Sequence, residues 1–498
     1  MTGREVLLLA TLLFVVAVPL GQLTAYDIWA ILAGGRYILT NGLPVADPFS
    51  FTASGQPWVN QMWLTQVVFY WVYATLGRDP LILLKVVVVA ATLGLVWWSA
   101  VHRSGSASAA SLVTALVALA GAPWWHLRPQ ILTYLCLAGT LALLDAWRSG
   151  RRGAIWGVPA IMAVWVNAHA GFMIGFAILA IWWVGSLIER VQGRGLSAAS
   201  GSFKTLAVAT GLTAIASLAN PYGLRIFTFP LKMTGSQFAL ETSVDWYSPN
   251  FLAPAMIPAL AMIVLLFAAL GLSGRRLGPT DLLLLAALFA SSLRSGRNIP
   301  LFLIASAPLL AEMIVALIRP LQGRRLRIAA IAPAGLTVLL LLGTGLVGWS
   351  LRAPARNPFL QELNEKRYPI EVAQFFKTYR PPPQLFNVFL WAGYELWALP
   401  EYKVFIDNRF ELYPESVFRD YLGVTYVTPR WEEILNRWGI RTLIVGRDSA
   451  LAQVLQSSGR WGLILVGREA AVYVKLGDPL ADELLSRLGS AAGGVMSR

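Results

Sequence analysis

The sequence contains few charged residues and almost no cysteine. Charged side chains make up 13% of its 498 residues, which is about half the fraction usual in soluble proteins. A soluble globular chain is therefore not expected. The single cysteine, Cys136, lies inside an apolar run, so no disulfide can form within the chain and a packing role is expected.

The sequence is instead rich in long runs of apolar residues. Hydrophobic residues make up 56% of the chain, and its mean hydropathy is +0.60. The run from Ile328 to Trp349 contains two polar side chains, Thr337 and Thr344. Runs of about 18 residues or more can cross a hydrocarbon core of about 30 Å, so a polytopic membrane protein is predicted.

The net charge of +14 does not indicate a nucleic-acid partner. The arginines form short clusters between the apolar runs, as do loop charges that set membrane orientation. Placing these clusters in the cytoplasm puts the N-terminus inside and the C-terminal part outside. The clusters are Arg148, Arg151 and Arg152; Arg190 and Arg194; Arg275 and Arg276; and Arg319, Arg324, Arg325 and Arg327.

About eleven transmembrane helices are predicted on this basis. The arginine clusters share one side only if one early apolar stretch, Met62–Leu76, does not cross, and we expect it to lie as a helix in the outer interface. The first apolar run has no small-residue cleavage site and is expected to remain as the first span. The predicted spans are 6–22, 81–101, 107–122, 131–147, 154–167, 171–188, 206–218, 253–272, 281–293, 300–318 and 328–349.

The composition predicts two domains. Residues 1–350 form an all-α transmembrane domain, with interfacial helices in its first outer loop at 23–80. Residues 351–489 regain ordinary charge, which predicts a small extracytoplasmic α/β domain, and residues 490–498 are expected to form a disordered tail. Strands are expected at Val404–Ile406, Thr442–Val445, Leu463–Val466 and Ala471–Val474.

Most polar residues that interrupt the apolar pattern fall on the predicted outer side. Asp27 is the first acid after the first span, so it is either a functional carboxylate or a helix cap. Arg128, Arg294 and Arg297 lie at outer span ends, where arginine either binds an anion or reaches lipid headgroups. Lys85 is expected to reach the headgroups. The other outer candidates are Asp47, Asn60, Gln61, His126, Asn167, His169, Asp245 and Trp246.

Several short motifs follow one another through most of the membrane part. They are Asp27-Ile28-Trp29, Arg36 to Gly42, Asp47 to Thr52, Pro57 to Leu64, Arg128-Pro129-Gln130, Trp165 to Gly171, Asn220 to Gly223, and Arg297 to Pro300. In this order they resemble the GT-C class of membrane glycosyltransferases. The resemblance is to bacterial proteins that use lipid-phosphate sugars and are related to protein mannosyltransferases and aminoarabinose transferases. Such proteins carry an acid directly after the first span.

The resemblance implies that a sugar moves from a polyprenyl-phosphate donor to a glycan, lipid or protein acceptor outside a bacterial inner membrane. Asp27 then deprotonates the acceptor hydroxyl. Arg128 and Arg297, with Arg294 as a further candidate, neutralise the phosphate leaving group. The chain has no Walker loop, dinucleotide glycine fingerprint or zinc-type spacing, so a soluble nucleotide-sugar donor is not expected.

The supporting residues each keep two interpretations. Asn60 and Gln61 either bind sugar hydroxyls or cap the interfacial helix, and they replace the paired prolines of the mannosyltransferases. Asp47 is either a second catalytic carboxylate or a turn cap. His126 and His169 either bind a divalent metal with Asp27 or are hydrogen-bonded structural residues, so a metal cofactor is left open.

Two further pairs are ambiguous in the same way. Asp245 and Trp246 form either a sugar platform or a loop anchor. Asp407 and Arg409 form either a binding site or a buried pair that holds a loop, and the second interpretation is favoured.

Two other functions stay open at this point. A transporter or flippase of lipid-linked saccharides requires ionisable groups through the bilayer midplane, whereas Asp281 and Glu312 lie nearer the predicted cytoplasmic side. A non-catalytic assembly subunit would use the same scaffold to carry the soluble domain. The lack of a second acid beside Asp27 keeps that alternative open.

Overall fold

Two compact units make up the structure, a computed structural model that describes residues 2–20, 27–193, 203–229, 246–322, 326–352 and 368–491. The helical unit comprises the described parts of 1–25, 72–228 and 240–361. The α/β unit comprises the described parts of 26–71, 229–239 and 362–498.

Thirteen α-helices precede residue 352 in the described part of the chain. Each predicted span coincides with one of them, because an apolar segment in lipid must satisfy its backbone hydrogen bonds internally. The helices are α1 (Gly3–Leu20), α2 (Ile28–Asn41), α3 (Trp63–Leu76), α4 (Arg78–Ser104), α5 (Ala107–Ala120), α6 (Gln130–Arg148), α7 (Gly157–Ala168), α8 (Phe172–Val191), α9 (Phe203–Ala216), α10 (Ile257–Leu272), α11 (Pro279–Arg294), α12 (Ile299–Gln322) and α13 (Leu326–Ser350).

Seven helices among the described residues are long and apolar enough to cross a membrane. The protein is therefore a multi-pass membrane protein. The count of eleven crossings stays a prediction, because several of the other helices are shorter. The seven are Gly3–Leu20, Arg78–Ser104, Gln130–Arg148, Phe172–Val191, Pro254–Leu272, Gly296–Arg319 and Pro333–Ser350.

Charged side chains of the helical unit meet in an ionic cluster between helices. Asp281 of α11 pairs with Arg103 of α4 at 2.7 Å and with Arg148 of α6 at 3.1 Å. Glu312 of α12 pairs with Arg275 at 2.6 Å. A charge taken out of water is costly unless it is paired. Asp281 thus ties α11 to α4 and α6, and Glu312 ties α12 to the loop that carries Arg275.

Lys85 lies elsewhere than expected. Its side chain is fully buried, and its ammonium group donates a hydrogen bond to the carbonyl oxygen of Pro19 at 2.7 Å. The last carbonyls of a helix have no partner within that helix, and Lys85 satisfies one of them at the end of α1. The prediction that Lys85 reaches the lipid headgroups is therefore wrong.

A four-stranded sheet of order β1-β2-β4-β3 lies in the α/β unit. β1 is parallel to β2, and the other two pairs are antiparallel. Three strands lie where apolar runs predicted them. The strand expected at Val404–Ile406 is wrong, because Val404 makes only an isolated bridge to Ser50. The strands are β1 (Leu385–Phe386), β2 (Thr442–Gly446), β3 (Trp461–Val466) and β4 (Ala470–Lys475).

Helices cover this sheet and continue to the end of the described chain. The last of them ends at Ala491, so most of the tail predicted to be disordered lies outside the described residues. They are α14 (Ile370–Tyr379), α15 (Ala392–Ala398), α16 (Glu415–Thr425), α17 (Trp431–Arg437), α18 (Ala450–Ser457) and α19 (Pro479–Ala491).

The core of the α/β unit draws on two distant parts of the chain. Ala53 and Trp58 of the first loop are buried in one cluster with Phe405, Leu443 and Tyr473. α2 packs on α15. Residues 27–71 and 368–491 therefore share one hydrophobic core, which brings polar groups from both segments together.

Candidate functional site

Asp27 occupies the N-cap position of α2, but its side chain makes no capping hydrogen bond. Its Oδ1 instead accepts a hydrogen bond of 3.0 Å from Nδ2 of Asn408. An ionised carboxylate only accepts, so the amide must present its nitrogen here. The side chain of Asp27 therefore does not cap its own helix, which was one of its two interpretations.

Asp47 is a buried carboxylate in the turn that follows α2. It accepts hydrogen bonds from the backbone N–H groups of Phe49 at 3.0 Å and Ser50 at 3.1 Å, and one from the Ser50 hydroxyl. It also pairs with the Nη1 atom of Arg409 at 2.6 Å. This set of partners is that of a turn-forming carboxylate, which was one of its two interpretations.

Arg409 joins the first loop to the C-terminal segment. Its guanidinium group contacts Asp407 through Nε at 2.9 Å and Nη2 at 2.6 Å, and lies 4.6 Å from the centre of the Trp58 ring. Burial opposes the charge, but Asp407 and then Asp47 outweigh it and raise the pKa of Arg409 well above its usual value. Asp407 and Arg409 are thus a buried pair that holds a loop.

Asn60 and Gln61 are buried just before α3. The Nδ2 atom of Asn60 donates to Oε1 of Gln66 at 2.6 Å, and its Oδ1 accepts from the N–H of Met62 at 3.4 Å. Asn60 therefore holds the start of α3. The Oε1 atom of Gln61 has no hydrogen-bond partner among the described residues, so it is available to a hydroxyl donor.

His169 lies in the turn between α7 and α8. Its Nδ1 accepts from the N–H of Gly171 at 3.1 Å and contacts the Thr133 hydroxyl at 2.8 Å, while that hydroxyl accepts from the indole N–H of Trp165. The proton of the neutral ring must therefore sit on Nε2. Burial, and then the charge of Arg297, lower the pKa of His169 to about 3, so the ring is neutral.

Arg297 and Trp246 lie together in the helical unit. The guanidinium carbon of Arg297 is 4.6 Å from the centre of the Trp246 ring, a cation–π contact. The N–H of Gly296 donates to the carbonyl of Tyr247 at 3.0 Å and joins the two turns. Arg294 is exposed. Asp245 lies outside the described residues.

The remaining candidates hold turns of the helical unit. The Nδ2 atom of Asn167 donates to the carbonyls of Ala163 and Ala219, each at 2.8 Å, and so ties α7 to the segment after α9. The N–H of Arg128 donates to the carbonyl of His126 at 2.9 Å, which forms the turn before α6. Both His126 and Arg128 belong to that turn.

The candidates are thus divided between the two units. Asp27, Asp47, Asn60 and Gln61 belong to the α/β unit. The arrangement of the two groups relative to each other stays a prediction. The other described candidates, which belong to the helical unit, are His126, Arg128, Asn167, His169, Trp246, Arg294 and Arg297.

The described part of the chain contains no set of side chains that could bind a metal ion. No three His, Cys, Asp or Glu side chains there are grouped so that they could hold an ion. The carboxylate of Asp27 accepts a hydrogen bond from the side-chain amide nitrogen of Asn408, and such a nitrogen is not a metal ligand. The described residues around Asp27 therefore do not fit a metal ion.

The sequence interpretation missed Asn408. Its neighbours Asp407 and Arg409 stood out as charged residues next to an apolar run, and that motif was the available signal. The contact itself joins positions 381 residues apart, and no periodicity reports such a contact.

Comparison with solved structures identifies the fold. The chain is similar to two crystal structures of the oligosaccharyltransferase of Archaeoglobus fulgidus. One, tethered to an acceptor peptide with the NVT sequon, has a TM-score of 0.58 and 13% identity; the apo form has 0.54 and 12%. Both comparisons cover 89% of this chain and 69% of that protein. This chain has the GT-C fold.

A second GT-C protein leads to the same fold. The cryo-EM structure of the arabinofuranosyltransferase AftD from Mycobacteria has a TM-score of 0.54 and 15% identity, over 96% of this chain and 40% of that one. No family model and no curated protein matches the sequence. At these identities the GT-C likeness establishes the fold alone.

Proposed function

We propose that this GT-C chain is a membrane glycosyltransferase that moves a sugar from a polyprenyl-phosphate donor to an extracytoplasmic acceptor. The observation that carries the proposal is the setting of Asp27. It is the first acid after α1, and its carboxylate is held by Asn408 instead of capping its own helix. The fold shared with an oligosaccharyltransferase and an arabinofuranosyltransferase supports this class of reaction.

Asp27 is the general base in this mechanism. It takes the proton of the acceptor hydroxyl while the acceptor oxygen forms a bond to the anomeric carbon of the sugar. The bond between that carbon and the phosphate oxygen breaks at the same time, and its electron pair leaves with the polyprenyl phosphate. The acceptor is a glycan, a lipid or a protein.

Arg297 and Arg128 neutralise the phosphate that leaves. The Trp246 ring lies against the face of the Arg297 guanidinium, and a group held in this way presents its N–H edge to phosphate oxygens. The charge of Arg297 also acts on His169, whose Nε2–H is a neutral donor suited to a sugar or phosphate oxygen. Exposed Arg294 is the weaker donor-binding candidate.

The hydrogen-bond partners of the supporting residues indicate two different roles. Asp47 and Asn60 have their polar atoms engaged within the α/β unit, so we assign them to building the first loop. The buried Oε1 of Gln61, which has no hydrogen-bond partner in the described part of the chain, suits an acceptor or sugar hydroxyl. The arginine clusters support a bacterial plasma membrane orientation with the N-terminus in the cytoplasm and residues 368–491 outside.

The test is sugar transfer by the protein reconstituted in liposomes with a panel of labelled polyprenyl-phosphate sugars and acceptors. Asp27→Asn is expected to lower kcat by about 100-fold or more, since a positioned general base contributes 10²–10⁴-fold. Asp79→Asn is the matched control, because Asp79 is an exposed acid whose ion pair in the described chain is with its neighbour Arg78. It is expected to transfer like the wild type.

Two results would contradict the proposal. If Asp27→Asn turns over like the wild type, Asp27 is not the base. If the folded wild type transfers no sugar from any donor in the panel, the non-catalytic subunit becomes the better interpretation.

A further inference from the structure

Asn408 lies in a loop whose backbone is held on both sides. Before it, Oδ1 of Asn387 accepts from the N–H groups of Phe405 at 2.9 Å and Ile406 at 3.2 Å. The N–H of Asp407 donates to the Tyr413 hydroxyl at 3.1 Å. The direction in which Asn408 points is therefore set by buried hydrogen bonds and not by its own side chain.

The residue after Asn408 is fixed even more firmly. Arg409 contacts Asp407 and Asp47, each at 2.6 Å at its closest, and its side chain is nine-tenths buried. A guanidinium bound by two carboxylates has little freedom, because each contact satisfies part of the same planar fork. The tripeptide 407–409 thus forms a rigid support with one residue, Asn408, projecting from it.

The helix that carries Asp27 is anchored to the same segment. Arg36 of α2 donates to the carbonyl groups of Leu396 at 3.1 Å and Trp397 at 2.9 Å, and its guanidinium lies 4.5 Å from the Trp397 ring centre. α2 therefore cannot shift along α15 without breaking these contacts. Both ends of the contact between Asp27 and Asn408 are held in place.

We propose that Asn408 is the positioning residue for Asp27: its amide fixes the plane of the carboxylate that takes the acceptor proton. This deepens the proposed function and rests on it. The backbone of Asp27 is helical, with φ −74° and ψ −16°, which does not place its carboxylate to cap the helix N–H groups. The amide of Asn408 holds the carboxylate oxygen by a hydrogen bond and adds no charge to the site.

The first test needs no activity. Thermal unfolding is compared for the wild type, Asp27→Ala, Asn408→Ala and the double variant. If the two side chains act on each other, the double variant loses no more in Tm than the larger single loss. Asn436→Ala is the matched control, because Asn436 is an exposed asparagine with one side-chain contact, to Lys475. Its effect is expected to add to that of Asp27→Ala.

The second test uses the transfer assay. Asn408→Ala is expected to lower kcat by about tenfold or more, the equivalent of one hydrogen bond to a charged group. The donor KM should stay within about twofold, because the residue acts on the base and not on donor binding. In the Asp27→Asn background the same substitution should have no further effect.

The outcomes separate this proposal from the proposed function. If Asn408→Ala keeps the wild-type kcat while Asp27→Asn is inactive, the function stands and the positioning role is overturned. If both Tm losses simply add, the positioning role is overturned whether or not transfer is found. If no protein transfers sugar, the function falls, and a coupled loss of Tm still supports the hold of Asn408 on Asp27.

Discussion

At the scale of single residues, Glu395 is a carboxylate buried in the α/β unit. It is 2% exposed, and neither side-chain oxygen has a hydrogen-bond partner among the described residues. Burial disfavours the anion and outweighs the opposing effect of the nearby Asn387 side chain, so the pKa of Glu395 rises from 4.5 to about 8. The folded protein therefore binds more protons at this site than the unfolded chain between those two pH values.

This difference predicts how stability depends on pH. The contribution of Glu395 is fully present below about pH 4.5 and is lost as the pH rises towards about 8. Glu395→Gln removes the titration. At pH 8.5 we therefore expect its free energy of unfolding to exceed that of the wild type by roughly 2–4 kcal/mol, seen as a higher Tm, with a smaller difference at pH 5. Thermal melts at both pH values measure it. The exposed Glu401→Gln serves as control, and equal pH slopes for both variants would contradict the prediction.

At the scale of elements, the periodicity of apolar residues predicted the helices and strands that a local sequence pattern specifies. Three of the four strands and every helix at a predicted span came from apolar runs whose length matches the element. The strand expected at Val404–Ile406 failed because its partner is Ser50, far away in the chain, and two-residue β1 is too short to produce a pattern. The contact between Asp27 and Asn408 was not predicted either, because its two residues are also far apart in the chain.

The packing of α2 on α3 provides an element-scale prediction. A Cβ at Gly35 would lie 2.1 Å from the backbone oxygen of Gln66, so no side chain fits there. Gly35→Ala must push the helices apart and is expected to cost about 1–3 kcal/mol, as overpacking does. Gly94→Ala is the control, because a Cβ at this glycine of α4 meets no atom within 4 Å.

Thermal unfolding of the two glycine variants decides this prediction. Gly94→Ala should be neutral or gain up to about 1 kcal/mol from helix propensity. The same Tm for both variants would show that α2 and α3 do not touch at Gly35. Because α2 follows Asp27, we also expect slower transfer by Gly35→Ala than by Gly94→Ala.

At the scale of the whole molecule, the α/β unit combines two segments that the composition separates. The change in charge near residue 350 led to a predicted boundary between a membrane part and a soluble part. That pattern reports which residues meet water or lipid, and it carries no information about which segments share a core. Ala53 and Trp58 pack against residues beyond 368, and Arg409 binds Asp47 of the first loop.

The shared core predicts that residues 368–491 do not fold by themselves. Without residues 27–71 they lose Trp58 and its neighbours. An empty site for one buried tryptophan costs about 3–5 kcal/mol, a large share of the roughly 5–15 kcal/mol by which a domain is stable. Residues 27–71 joined to 368–491 by a flexible Gly/Ser linker should unfold cooperatively in detergent. Circular dichroism melts compare the Tm of the two proteins. Trp58→Ala in the linked protein should abolish most of its increase in Tm over residues 368–491 alone. A cooperative transition of 368–491 alone at the same temperature would mean that the first loop packs on a domain that is already stable.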